Sequence, residues 1–241
     1  MTRQPDPLDW LETERRQPGG SRVEFRQQLD DIDRHLVAAG AAVAERVLPA
    51  THAFLEADQH AADQVIASSR EVDARCEQLE EACYIVLARQ SPVAGDLRHI
   101  VGVLRSTADV QRSSYLLTHI ARSLRWVHPP SMSEELRTTI QQFGTVTSEI
   151  FTSAVQAWRT HDALTATELS RRDDEADRLQ KYLLTEIYTG RQSVEEAVSL
   201  ALLARYYERI ADHGVAIARQ VTYFVTGDVA PHAGEATGGA P

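Results

Sequence analysis

Two pairs of carboxylates in the C-terminal half have a spacing that could do chemistry. Glu208 and Asp212 stand four apart in Arg205-Tyr206-Tyr207-Glu208-Arg209-Ile210-Ala211-Asp212-His213, and Asp173 and Asp177 stand four apart around Asp174 and Glu175. On a helix, residues at i and i+4 share a face. Two carboxylates ~5 Å apart repel by roughly 3 kcal/mol at an effective dielectric near 20. Such pairs on neighbouring helices therefore call for a positive charge from an arginine, a partner or a metal ion. An all-oxygen set suits hard ions such as Mg, Mn, Ca or iron, and carboxylates projecting from paired helices hold metal in known bundles. The opposite reading is two solvated acidic faces with Arg172, Arg205 or Arg209 as neighbours, and spacing alone leaves both open.

The elements that must position these pairs are helices. Between a Pro- and Gly-punctuated arm (1–21) and a Gly/Ala/Pro-rich tail (228–241), apolar residues recur by threes, fours and sevens. The spacing predicts six helices and no strand: about 22–55, 58–89, 93–126, 133–160, 162–188 and 193–226. Asp58 and Asp162 are candidate caps, Ser193 with Glu196 reads as a capping box, and Ser91-Pro92 is read as the opening of the third helix. The expected fold is all-α, six long antiparallel helices in two three-helix bundles. On a helical wheel the apolar arc of the last helix runs through Leu203, Ile210, Ile217 and Val221. That places Glu208 and Asp212 opposite it, on the bundle surface, and His213 with them.

Composition narrows the function classes. A formal net charge of −10 makes nucleic acid and anionic membrane poor partners. No apolar run is long enough to span a bilayer, so no direct membrane insertion is expected, and the polar first residues lack the apolar core of a signal peptide. The expected location is the cytoplasm. Cys76 and Cys83 lie seven apart in a helical segment, too far for a disulfide, and are read as buried small residues. There is no phosphate-binding Gly loop and no catalytic triad pattern, so no catalytic residue is assigned. A di-iron enzyme would need Glu-x-x-His on two helices; the nearest approach is Asp96-x-x-His99, once, read as a helix N-terminus.

The chain repeats across Pro129-Pro130. Ser69 to Asp73 aligns with Asp173 to Asp177, and Gln111 to Tyr115 with Glu208 to Asp212, giving a first repeat over 22–128 and a second over 131–227. Several of these residues resemble the signatures of the PhoU family of phosphate-transport accessory and signalling regulators. The loop Gln90-Ser91-Pro92-Val93-Ala94-Gly95-Asp96-Leu97-Arg98 and the run Tyr207-Glu208-Arg209-Ile210-Ala211-Asp212-His213 carry the resemblance, with Leu55-Glu56-Ala57-Asp58 before the second helix. The resemblance implies two three-helix bundles with a surface metal cluster in each repeat, held by paired E/D-x-x-x-D motifs. Carried across, Asp173, Asp177, Glu208 and Asp212 keep the second cluster. In the first repeat Ser69, Gln111 and Tyr115 stand where the family has acidic residues and only Asp73 is retained, so one metal site is expected, of Fe, Mn, Mg or Zn, with Asp73 and Gln111 a candidate degenerate first site. Pro92, Asp96 and Arg98 are expected to form a structural or partner-facing loop.

The resemblance further implies a non-enzymatic cytoplasmic regulator that restrains phosphate-starvation signalling and uptake. Its implied partners are a phosphate-responsive sensor histidine kinase, the ATPase of the phosphate ABC importer, and a second copy in a homodimer. Two rivals use the same residues: a carboxylate-bridged metalloenzyme, and an interaction bundle that binds no metal.

Overall fold

The computed structural model describes residues 22–125, 127, 132–190 and 192–228, apart from the side chains of 166, 167, 170 and 171. Six α-helices follow one another, with no strand among the described residues: α1 (Arg22–Leu55), α2 (Gln59–Gln90), α3 (Ala94–Arg122), α4 (Glu134–Thr160), α5 (Ala163–Thr189) and α6 (Val194–Thr226). The expected N-terminal arm, the tail beyond residue 228 and the Pro129-Pro130 break lie outside the described residues.

Helix starts follow local chemistry. The Asp58 carboxylate accepts the Ala61 amide at 3.0 Å, and Asp162 accepts those of Leu164 and Thr165 at 2.9 and 3.2 Å. Ser193 and Glu196 form the reciprocal capping box. Each such cap satisfies amides that the first turn leaves without partners, typically contributing about 1 kcal/mol. The α2–α3 connection departs from expectation. Ser91 adopts a left-handed φ of 45° and terminates α2, Pro92 stays in the connection, and α3 starts after Val93 with no side-chain cap. Its far end tightens into a 3-10 turn, Ser123–Arg125, in place of the expected α-helix; the expected end at 126 lies outside the described residues.

Packing reproduces the repeat. Helices α1, α2 and α3 pack on one another, as do α4, α5 and α6, and the two halves meet through α1 against α4 and α3 against α6. One continuous apolar core runs through both halves, with Phe54, Ile100, Phe143, Phe151, Trp158 and Tyr207 among its buried side chains. The inter-repeat contacts are mirrored. On the α1–α4 seam Gly40 faces Val155 and Gly144 faces Thr51. Gly40 and Gly144 are 104 positions apart, and so are Thr51 and Val155. The same contact is thus made twice, in antiparallel register, as an approximate twofold requires. Glycine is needed at both places: a Cβ on Gly144 would lie 2.3 Å from Thr51 Oγ1, and one on Gly40 2.8 Å from Val155 Cγ2. Near the centre, Thr51 Oγ1 and the Tyr207 hydroxyl share a buried hydrogen bond of 2.8 Å that joins α1 to α6.

Candidate functional site

Helix α6 carries Glu208 and Asp212, and α5, packed along it, carries Asp173 and Asp177. The fold presents the two pairs to each other. Asp212 and Asp177 both raise the pKa of Asp173, and both act the same way on Glu208. Burial comes first among the causes: loss of hydration together with these neighbours pushes Asp173 up to about 6 and Glu208 up to about 7. Asp212 is raised too, by crowding of its hydration and by Asp177, while Arg205, His213 and Arg209 pull against the shift.

Surface placement, expected from the wheel, holds for Asp177 and Asp212, which are exposed, and fails for Glu208, which is 7% exposed. The wheel treats α6 as a cylinder with one covered side, but α3, α4 and α5 all pack on it. The same covering buries His213, expected at the surface. Its Nδ1 lies 2.9 Å from Asp109 Oδ1 on α3. Glu208 Oε1 accepts a hydrogen bond from Arg205 Nη1 at 2.5 Å, while its Oε2 is buried with no partner. An unpartnered carboxylate oxygen, raised in affinity for a proton and flanked by two further carboxylates, is what a site with room for a cation presents. The donor set is all oxygen and fits a hard metal. Asp177 and Asp212 act on the ionisation of both Asp173 and Glu208, yet the four groups do not form one of the tight clusters whose ligand atoms all approach within 4.8 Å.

The first repeat is built differently at the corresponding place. Asp73, Gln111 and Tyr115 line one cleft of about 690 Å³ between α2, α3 and α6, together with Arg205, Arg209 and His213. So Asp73 and Gln111 do share a site, but cationic side chains share it with them. A further arginine, Arg46 of α1, donates to Ser68 Oγ on α2 at 2.9 Å and to Ser114 Oγ on α3 at 3.1 Å. Its charge interacts with Asp73 and Glu71. A built-in guanidinium thus supplies positive charge near Asp73 in the first repeat. Sequence reasoning missed Arg46; the signal was the pair of small hydroxyl residues, Ser68 and Ser114, on the facing helices.

The 91–98 loop also takes a specific place. Asp96 lies exposed in the first turn of α3, where the helix dipole favours an acid. The Arg98 guanidinium lies against Gly227, which ends α6 at φ +84°. Arg98 therefore packs the start of α3 against the end of α6.

With this geometry established, comparison with known proteins gives a single answer. The PhoU domain matches residues 36–124 and 140–221, one match in each repeat. A "Phosphate-specific transport system accessory protein PhoU homolog 2" from Mycobacterium tuberculosis is 34% identical over 209 residues, covering 86% of this chain and 98% of the relative. A PhoU homolog from Pseudomonas aeruginosa is 31% identical over 219 residues, covering 88% of this chain and 89% of the relative. The crystal structure of PhoU from Pseudomonas aeruginosa superimposes with a TM-score of 0.79 at 28% identity, over 85% of this chain and all of that one. These relatives are named as accessory proteins rather than enzymes. On its two matched repeats and its two-bundle fold, the chain belongs to the PhoU family.

Proposed function

We propose that this protein regulates phosphate transport and phosphate-starvation signalling by protein–protein contact, with one carboxylate-held metal site, in the second repeat. The observation that supports this reading best is the match of the PhoU domain to both repeats, together with relatives named for the phosphate-specific transport system. The proposed partners are the ATPase of the phosphate importer and a phosphate-responsive sensor kinase, and the proposed location is the cytoplasm. No described helix is long and apolar enough to cross a membrane. A second copy of the chain in a homodimer is part of the same proposal.

Asp173, Asp177, Glu208 and Asp212 would hold the metal, of Fe, Mn, Mg or Zn type. When bound, it would neutralise negative charge that the neighbouring arginines only partly offset. With metal bound, the four residues would clamp α5 to α6 and so fix the surface those helices present. The first repeat would keep no metal, because Arg46 supplies charge beside Asp73. One observation favours a second reading: Arg205 already pairs with Glu208, so arginines alone would balance the acids in a metal-free interaction bundle.

The test is a phosphate-regulon reporter in a strain lacking the gene. At high phosphate the deletion should derepress the reporter, the wild-type chain should restore repression, and D173N/D212N should restore it poorly. No derepression in the deletion strain would remove the regulatory reading. Full complementation by D173N/D212N would favour the metal-free bundle.

A further inference from the structure

Away from the acidic pairs, three helices meet at a polar corner. Asp33 of α1 places Oδ1 2.8 Å from Nε2 of His99 on α3. Its Oδ2 lies 3.3 Å from Nε2 of His161, in the turn after α4. The three ligand atoms all lie within 4.8 Å of one another, which no other His/Cys/Asp/Glu group of three among the described residues achieves. We propose that Asp33, His99 and His161 form a divalent-metal site of the zinc type, joining the first repeat to the second.

The donor set and its dimensions carry the assignment. Two neutral imidazole nitrogens and one carboxylate, with a position left for water, are a ligand set that zinc accepts. Bonds of ~2.0 Å in a tetrahedron imply ligand-to-ligand edges of roughly 3.3 Å. The observed 2.8 and 3.3 Å separations run from the two imidazoles to the two different oxygens of Asp33, and all three ligand atoms lie within 4.8 Å of one another, so an ion is admitted once the carboxylate turns one oxygen to both rings. The outer sphere is also in place. Trp158 Nε1 donates to Asp33 Oδ1 at 2.8 Å, orienting the carboxylate. The His99 ring stacks on Phe224 with centroids 4.5 Å apart. Side-chain exposure is 15% for Asp33 and 14% for His99 but 48% for His161, which gives an ion a route in from solvent.

The approximate twofold shows that the fold does not need this trio. Shifted by 104 positions, Asp33, Trp158 and His161 correspond to Arg137, Phe54 and Ala57. At that other corner Arg137 donates to the Leu55 carbonyl at 2.7 Å and to Glu56 at 3.0 Å. Ala57 makes the same left-handed turn, at φ 55° against 54° for His161. An alanine thus closes the equivalent turn, and the histidine at 161 is an addition to the scaffold. The competing explanation is a hydrogen-bonded corner in which each imidazole donates to one carboxylate oxygen.

The experiment titrates Co(II), then Zn(II), into metal-stripped full-length protein. The expected result is a visible ligand-field absorption from one cobalt per chain, abolished by competing zinc. H161A should remove it, D33N should weaken binding by roughly tenfold or more, and D173N/D212N should leave it intact. H161A retains the fold because Ala57 serves the equivalent turn. Absence of the absorption in the wild type, or cobalt affinity within about twofold of wild type in both H161A and D33N, would overturn the proposal and leave the hydrogen-bonded corner.

Discussion

Replacing Asp212 by asparagine should stabilise the metal-free protein at alkaline pH while weakening its hold on metal. Asp212 is the largest neighbouring charge raising both Asp173 and Glu208, and its own side chain is exposed enough for an amide to cost little. Unscreened, one carboxylate acting on another at i+4 is worth ~3 kcal/mol. Exposure and the opposing Arg205 and Arg209 reduce the net relief to about 1 kcal/mol. The sign follows from linkage. Glu208 at about 7 and Asp173 at about 6 lie above their ordinary values, so the folded state binds more protons than the unfolded state in between. Their ionisation therefore destabilises the fold progressively as pH rises from ~4.5 to ~7, and the penalty is complete above that. D212N should match wild type near pH 4 and exceed it at pH 8, by about 1 kcal/mol or roughly 2–4 °C in Tm. Denaturant melts with chelator and with added Mn(II), at both pH values, measure all of this. In wild type, Mn(II) should raise the midpoint at pH 8 and do little at pH 4; in D212N the rise should shrink. A metal-free D212N that is less stable than wild type at pH 8 would show that the four carboxylates do not repel as a group.

Further predictions concern the scaffold. G144A should destabilise by about 1–3 kcal/mol, because its Cβ meets Thr51 at 2.3 Å. G95A, which meets nothing nearer than Arg98 at 4.0 Å, should be neutral or stabilising by up to about 1 kcal/mol, and paired thermal melts compare the two. T51V leaves the buried Tyr207 hydroxyl without its partner and should cost about 1–3 kcal/mol in chemical denaturation. Burial pushes the thiols of Cys76 and Cys83 up to about 12, so both should resist alkylation at pH 8 until denaturant is added.

Much of the architecture is legible in the sequence because helix ends are local. Asp58, Asp162 and the Ser193–Glu196 box mark their helix starts by capping chemistry that needs no tertiary information. Ser91-Pro92 misleads because the same residue types serve two ends. Ser91 closes α2 in a left-handed turn instead of opening α3. The pairing of the acidic motifs is legible as spacing, but the burial of Glu208 and His213 is not. Those depend on neighbouring helices covering the side of α6 that a helical wheel assigns to solvent, α3 meeting His213 through Asp109. Asp33, His99 and His161 are separated by 66 and 62 positions, and no local pattern joins them. Only comparison across the repeat, against Arg137 and Ala57, distinguishes them. Arg46 is hidden for the same reason: its partners lie on two other helices.

The most direct test of a single metal site in the second repeat is elemental analysis of natively purified protein in the H161A background, which removes the histidine corner. The account predicts bound Mn, Fe, Mg or Zn that survives D73N and is lost in D173N/D212N. Metal content unchanged by D173N/D212N, or lost in D73N instead, would contradict it.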